Sequence, residues 1–211
     1  MSFLLVDGQG IALFGLQSII SKEFPNSTCD ALHDVNKAMK FFERKSYSLI
    51  VLEMNMPGMS MQRIIEWMLV KNPDQKIMIY TSSPEAIYAR RYFRLGVKGF
   101  VNKDQPTSDF ILAVRAILNN GLYMSCRLIE KISQDYLSEA PSNPFDKLSP
   151  REMEVCHFMI KGYRLGEIAE IMHLHKSTIG THRARLLEKL RIRKLFDLRD
   201  LAAAHGIPLH D

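Results

Sequence analysis

Asp7, Glu53, Thr81 and Lys103 each stand at or just past the end of a short apolar run, far apart in the chain but alike in position. Two carboxylates, a hydroxyl and an ammonium are groups with which proteins handle charge, and a fold that gathers them makes a site. A second set lies near the C-terminus. Residues 176–194 hold Lys176, Arg183, Arg185, Lys189, Arg191, Arg193 and Lys194 against one acid, Glu188. That surplus of six charges exceeds the +5 of the whole chain, so the remainder sums to about −1. On the second helix of a helix-turn-helix such a run is an electrostatic footprint for phosphate; elsewhere it is a solvated face. Signals of catalysis are missing from the sequence. It has no P-loop, metal-ligand cluster or nucleophile elbow, and His33 is isolated. An enzyme is not expected.

The elements that must position these groups follow from periodicity. Strand-like runs cover Phe3–Val6, Tyr47–Leu52, Lys76–Thr81 and Lys98–Val101, with a weaker one at Ser27–Ala31. Between them, Ile11–Lys22, Val35–Arg44, Met61–Val70, Ala86–Leu95 and Thr107–Leu118 have helical spacing. Continuous apolar strands alternating with helices imply a parallel sheet covered on both faces, a doubly wound α/β domain over residues 1–121. Functional groups in such a sheet collect at the carboxyl ends of its strands.

Residues 122–147 read as a connection, with one amphipathic helix at Arg127–Leu137 and a proline-containing linker from Ser138 to Pro144. From Leu148 to Asp211 only helical patterns remain, four of them. Ser149-Pro150-Arg151-Glu152 has the form of a capping box with proline at the first helical position. The length of 211 residues suits two such domains. Cys29, Cys126 and Cys156 are widely spaced and read as buried reduced thiols. No apolar run is long enough for a signal peptide or a membrane helix, so a cytoplasmic location is expected.

Leu148-Ser149-Pro150-Arg151-Glu152, Gly162, Glu167-Ile168-Ala169, Leu174, Thr178-Ile179-Gly180-Thr181-His182-Arg183 and Lys189-Leu190 together resemble the LuxR-type helix-turn-helix. The resemblance implies a four-helix all-α domain in which Lys176, Ser177, Thr178, Thr181, His182, Arg183, Arg185 and Lys189 form the DNA-binding set. Early residues of the second helix, Thr181 and His182 above all, enter the major groove, and flanking cations hold phosphates. Ile168, Ala169, Met172, Leu174 and Ile179 are expected to pack the two short helices. Gly180 departs from the family, which usually carries lysine there, and Arg164-Leu165-Gly166 replaces its usual Ser-Asn-Lys.

The first half is similar to the receiver domain of NarL/FixJ response regulators, a flavodoxin-like fold. The match lies in Leu5-Val6-Asp7, Met56-Pro57-Gly58-Met59, Thr81, Gly96-Val97-Lys98-Gly99-Phe100 and Lys103-Asp104. In that family two adjacent acids and an acceptor aspartate bind Mg2+, and a hydroxyl residue and a lysine contact the phosphoryl group. Asp7, Thr81 and Lys103 fit this set; the second acid is Gly8 and the acceptor position is Glu53. The receiver therefore reads as atypical, with no cofactor, weak or absent Mg2+ binding and no dedicated metal site. Thr81 and Phe100 correspond to the family's switch pair, in which the hydroxyl moves toward phosphate and the ring turns inward. Phe100 also suits an ordinary core position. Arg90, Arg91 and Arg94 are expected to expose at least two of their number.

These resemblances imply a transcription regulator of the two-component response-regulator type. It would bind double-stranded DNA as a homodimer, independently of phosphorylation, with Glu53 and Lys103 partly imitating the phosphorylated state. The pocket could equally be vestigial, kept as a dimerisation scaffold. The competing class is a protein-interaction adaptor whose receiver binds another regulator and whose DNA binding is weak. No membrane partner is expected.

Overall fold

β1 (Ser2–Val6) pairs in parallel with both β2 (Thr28–Leu32) and β3 (Leu49–Leu52), β3 pairs with β4 (Ile77–Thr81), and β4 with β5 (Gly99–Asn102). The sheet order is β2-β1-β3-β4-β5, the flavodoxin-like arrangement whose strand order reverses between β1 and β3. This computed structural model describes residues 1–56, 61–137, 143–192, 194–205 and 207. Pro57–Met59 of the quoted receiver motif, residues 138–142 of the expected linker, and Arg193 lie outside them.

Alternation along the strands sends Phe3, Leu5, Leu49, Val51, Met78 and Val101 to one face. There α1 (Gly10–Glu23) and α5 (Thr107–Leu118) cover them with Leu13, Leu16, Ile20, Phe110, Ala113, Val114 and Ile117. Arg115 on α5 ties to Glu23 on α1 at 3.0 Å. The other strand positions, among them Leu4, Ile50, Leu52, Ile79 and Phe100, are equally buried. α2 (Val35–Arg44), α3 (Met61–Lys71) and α4 (Glu85–Arg94) complete this half, and Tyr92 of α4 stacks 6.2 Å from Phe100. Burial of the strands on both faces is why they read as unbroken apolar runs.

The chain divides into two compact units, Met1–Gln134 and Asp135–Asp211. α6 (Cys126–Leu137) runs across the division. In the second unit a 3-10 turn at Pro144–Lys147 precedes α7 (Pro150–Ile160), α8 (Leu165–Ile171), α9 (Lys176–Leu190) and α10 (Leu195–Ala204). The expected capping box of α7 is present, with Ser149 and Glu152 bonding each other's backbone. Gly162 leaves α7 at φ 92°, a left-handed conformation that glycine adopts without strain.

Three features differ from the sequence expectation. Pro144, taken as linker, opens the 3-10 turn, because the Asn143 side chain accepts from Phe145 N–H at 3.0 Å and Phe145 is buried to 1% exposure. Arg91 is buried, donating to the Ile87 carbonyl, and only Arg94 of the α4 arginines is fully exposed. Cys126 is exposed, at the start of α6, although none of the cysteines forms a disulfide among the described residues. In the turn into α9, His173 takes a left-handed conformation at φ 51°. Among the described residues no helix is long and apolar enough to cross a membrane.

The C-terminal unit should fold by itself from Asn143 onward. Phe145→Ala within that fragment should cost about 3–4 kcal/mol, the usual loss for a buried phenylalanine. Thermal melts followed by circular dichroism check both points; a coil spectrum for the unmodified fragment would refute the independence of this unit.

Candidate functional site

The fold brings all four charge-handling residues of the first half to one crevice. β1 ends one residue before Asp7 and β3 one residue before Glu53, so the two carboxylates flank the switch point between those strands. Backbone bonds fix the exits: Asp7 N–H donates to the Leu32 carbonyl at 3.2 Å, and Glu53 N–H to the Val6 carbonyl at 2.8 Å. Thr81 ends β4, and Lys103 follows β5, with its N–H on the Thr81 carbonyl at 2.8 Å.

Lys103 spans the crevice. Its Nζ lies 2.6 Å from Asp7 Oδ2 and 2.7 Å from Glu53 Oε2. Glu53 Oε1 accepts from the Thr81 hydroxyl at 2.6 Å and from Asn55 N–H at 2.9 Å. Asp7 Oδ1 accepts from Gln9 N–H at 2.8 Å. Every carboxylate oxygen is thus engaged. Asp7, Glu53 and Thr81 are buried, and the Lys103 side chain is only 12% exposed. Burial works against the lysine charge, but the hydrogen bonds that it donates to Asp7 and Glu53 more than offset it and hold its pKa above the ordinary value. A rim of polar contacts surrounds the four: Asn55 Nδ2 donates to Ser83 Oγ at 2.9 Å, and Asn102 Nδ2 to the Ser83 carbonyl at 3.1 Å. Asn55, Ser83 and Asn102 are bystanders in sequence, found only through these loops.

The crevice does not suit Mg2+. A divalent ion of that size wants several oxygen ligands in octahedral order. Gly8 contributes none, and an ammonium already sits between the two remaining acids. Among the described residues no group of three or more His, Cys, Asp or Glu could hold a metal. An added Cβ at Gly8 would meet only Met56 Sδ, at 3.7 Å, so the missing acid is not a steric necessity. Phe100 is fully buried while the Thr81 hydroxyl points at Glu53.

The predicted DNA-facing residues gather on α9. Ile179, Leu186 and Leu190 bury its inner side, and Lys176, Ser177, Thr181, Arg183, Arg185 and Lys189 are exposed. Thr178 is half-buried near the start of the helix, and its N–H caps onto the His175 carbonyl at 2.9 Å. α8 reaches α9 through a tight turn in which Leu174 N–H returns to the Ala169 carbonyl at 2.9 Å. Ile168 and Ala169 are buried at this junction as anticipated, as is Met172; Leu174 is half-buried.

Two of the set carry an unforeseen commitment. Lys189 Nζ lies 2.6 Å from Glu152 Oε2, the same oxygen that accepts Ser149 N–H at 2.7 Å in the α7 cap. Burial opposes the Glu152 charge, yet the bonds from Lys189 and Ser149 outweigh it and lower its pKa. His182 is half-buried; among the described residues its Nδ1 has no hydrogen-bond partner, and burial lowers its pKa, with Glu152 opposing and Arg151 and Arg185 assisting. It is accordingly a neutral ring near pH 7. An added Cβ at Gly180 would meet nothing within 4 Å.

Comparison with known proteins agrees with this division. Residues 3–115 match the response regulator receiver domain, and residues 146–202 match bacterial regulatory proteins of the luxR family. The response regulator UvrY of Escherichia coli is 23% identical, over 98% of this chain and 95% of its own length. The oxygen regulatory protein NreC of Staphylococcus carnosus is 23% identical, over 96% of each. Among solved structures, RcsB from Salmonella enterica serovar Typhimurium bound to promoter rprA in the presence of a phosphomimetic superposes with a TM-score of 0.65. It is 20% identical, covering 97% of this chain and 99% of that one. Another RcsB structure, from Salmonella typhimurium, reaches a TM-score of 0.70 at 21% identity and covers 97% of each chain.

Lys103→Met should destabilise the first unit by about 3–5 kcal/mol at neutral pH, because it leaves two buried carboxylates without their cation. In the unmodified protein this contribution is complete below the ordinary lysine pKa and is lost only as pH rises through the raised value. Urea unfolding at pH 7 and in alkali measures both; equal stability of variant and parent at pH 7 would refute the bridging role.

Proposed function

The chain belongs to the response regulators that join a receiver to a LuxR-type DNA-binding domain, and from that premise we propose a transcription regulator that works without aspartyl phosphorylation. It acts as a homodimer on double-stranded DNA. In this reading residues 1–121 are the receiver, 122–147 a connecting helix and linker, and 148–211 the DNA-binding domain. RcsB has been solved as two dimers bound to two parallel DNAs, which supports both the ligand and the assembly.

The observation that carries phosphorylation independence is the position of the Lys103 ammonium, bonded at once to Asp7 and to Glu53. Phosphoryl transfer to a receiver needs an acceptor carboxylate open to in-line attack and a cation to offset charge. Here the acceptor position holds a glutamate whose oxygens are both engaged, and the chain's own lysine supplies the positive charge. Thr81 directed at Glu53 with Phe100 turned inward is the arrangement the family's switch pair takes when a phosphoryl group is present. Glu53 thus stands in for part of the phosphate, with one negative charge and two oxygens in place of nearly two charges and three. The vestigial-scaffold reading differs in one respect: it makes Glu53 indifferent to activity.

On α9, Arg183, Arg185 and Lys176 supply phosphate contacts, and Thr181 is placed to face bases. Lys189 serves chiefly to hold α9 against the cap of α7. The adaptor reading draws on Gly180, which removes a side chain from the outward surface.

The unmodified protein should take no label from acetyl phosphate, whereas Gly8→Asp combined with Glu53→Asp should restore Mg2+ binding and some labelling. An acid-labile phosphoprotein formed by the parent chain would end this reading. Arg185→Ala should weaken binding to all duplexes alike and flatten the slope of log affinity against log salt by about one unit. Gel-shift titrations at several salt concentrations measure it, and an unchanged slope would remove Arg185 from the interface.

A further inference from the structure

The outward line of α9 carries short side chains over its first three positions, ahead of the exposed Glu188. Ser177, Thr181 and Ala184 follow one another four and three residues apart and are all exposed, opposite the buried Ile179, Leu186 and Leu190. Arg183 and Arg185 flank Ala184 on either side of that line and are exposed. Lys189 is held by Glu152, and the His182 Nδ1 is buried. The hydroxyl groups on this line already take part in bonds within the chain. Thr181 donates its hydroxyl proton to the Ser177 carbonyl at 3.1 Å, and the Ser177 hydroxyl lies 3.0 Å from His175 Nδ1. With its proton so engaged, Thr181 offers a ligand only acceptor lone pairs and its methyl group, the latter beside the methyl of Ala184 and the bare backbone of Gly180.

In the major groove, the feature that complements a methyl surface is the 5-methyl group of thymine; threonine methyl and alanine are its usual partners. We propose that Thr181 and Ala184 read thymine through this methyl group, with specificity coming from apolar contact and affinity from the flanking arginines. The absent side chain at Gly180 lets the helix sit close enough to the base edges for such short groups to touch them. This inference rests on the DNA-binding reading above and names the chemistry its target must show.

The test uses the full-length protein and duplexes that it selects from a random pool. In each selected duplex, thymines are replaced one at a time by deoxyuridine, which lacks only the methyl group. Affinity should fall about fourfold at one or two positions, the worth of one buried methyl, and stay constant elsewhere. Thr181→Ser keeps the hydroxyl and loses the methyl, so it should abolish discrimination at one of those positions; Ala184→Gly should abolish it at another. Circular dichroism melts confirm that both variants remain folded. If deoxyuridine is tolerated at every position, or if discrimination survives both variants, the inference is overturned while DNA binding stands. If no duplex is selected at all, the DNA-binding reading fails and takes this one with it.

Discussion

An ammonium held between two buried carboxylates organises the first half of this protein. Lys103 emerges after β5 and reaches past β4 to acids that leave β3 and β1, so one side chain joins the carboxyl ends of strands spread across most of the sheet. Removing such charges from water is costly, and the cost is offset only when each oxygen finds a donor. The surrounding loops meet that demand: Gln9 and Asn55 supply backbone N–H groups, and Thr81 supplies a hydroxyl. Every carboxylate oxygen of the crevice thus has a donor within the protein. Phe100 is buried beside this crevice, and the Thr81 hydroxyl is directed at Glu53.

Much of this was legible in the chain because parallel strands buried on both faces advertise themselves as apolar runs, and the groups at their carboxyl ends must converge whatever the helices do. Asp7, Glu53, Thr81 and Lys103 could be named on that ground. Their partnership could not. Asp7 and Lys103 are 96 residues apart, and no local pattern distinguishes a lysine that bridges two acids from one that meets a single acid or solvent. Pro144 misled for the opposite reason: proline breaks helices, but it also begins 3-10 turns, and only the burial of Phe145 decides which. Arg91 shows the same limit, since helical spacing predicts a face while a neighbouring carbonyl can still capture a guanidinium.

The second half was the more readable in outline and the less so in detail. Capping box, glycine stop and helix lengths followed from local chemistry, and α9 emerged where its cations had pointed. Exposure alone did not reveal which of those cations are committed. Lys189 looked like its neighbours in the sequence and is distinguished only by a carboxylate 37 residues away. His182 likewise carries a buried nitrogen that composition does not disclose. The field of the segment is therefore carried by fewer mobile charges than a count suggests.

The Glu152 carboxylate has one oxygen serving two masters, the first turn of α7 and the distal end of α9. Ser149, Glu152 and Lys189 consequently behave as one heritable character. A change at any single member exposes the other two to a penalty, whereas a matched change in all three carries none of it. Substitutions here should show strong epistasis, and a route between two such triads must cross a valley or pass through an intermediate stabilised elsewhere. The position of α9 is in this way guarded by a triad at its base, and the outward surface of the helix is left freer to vary than the scaffold that aims it.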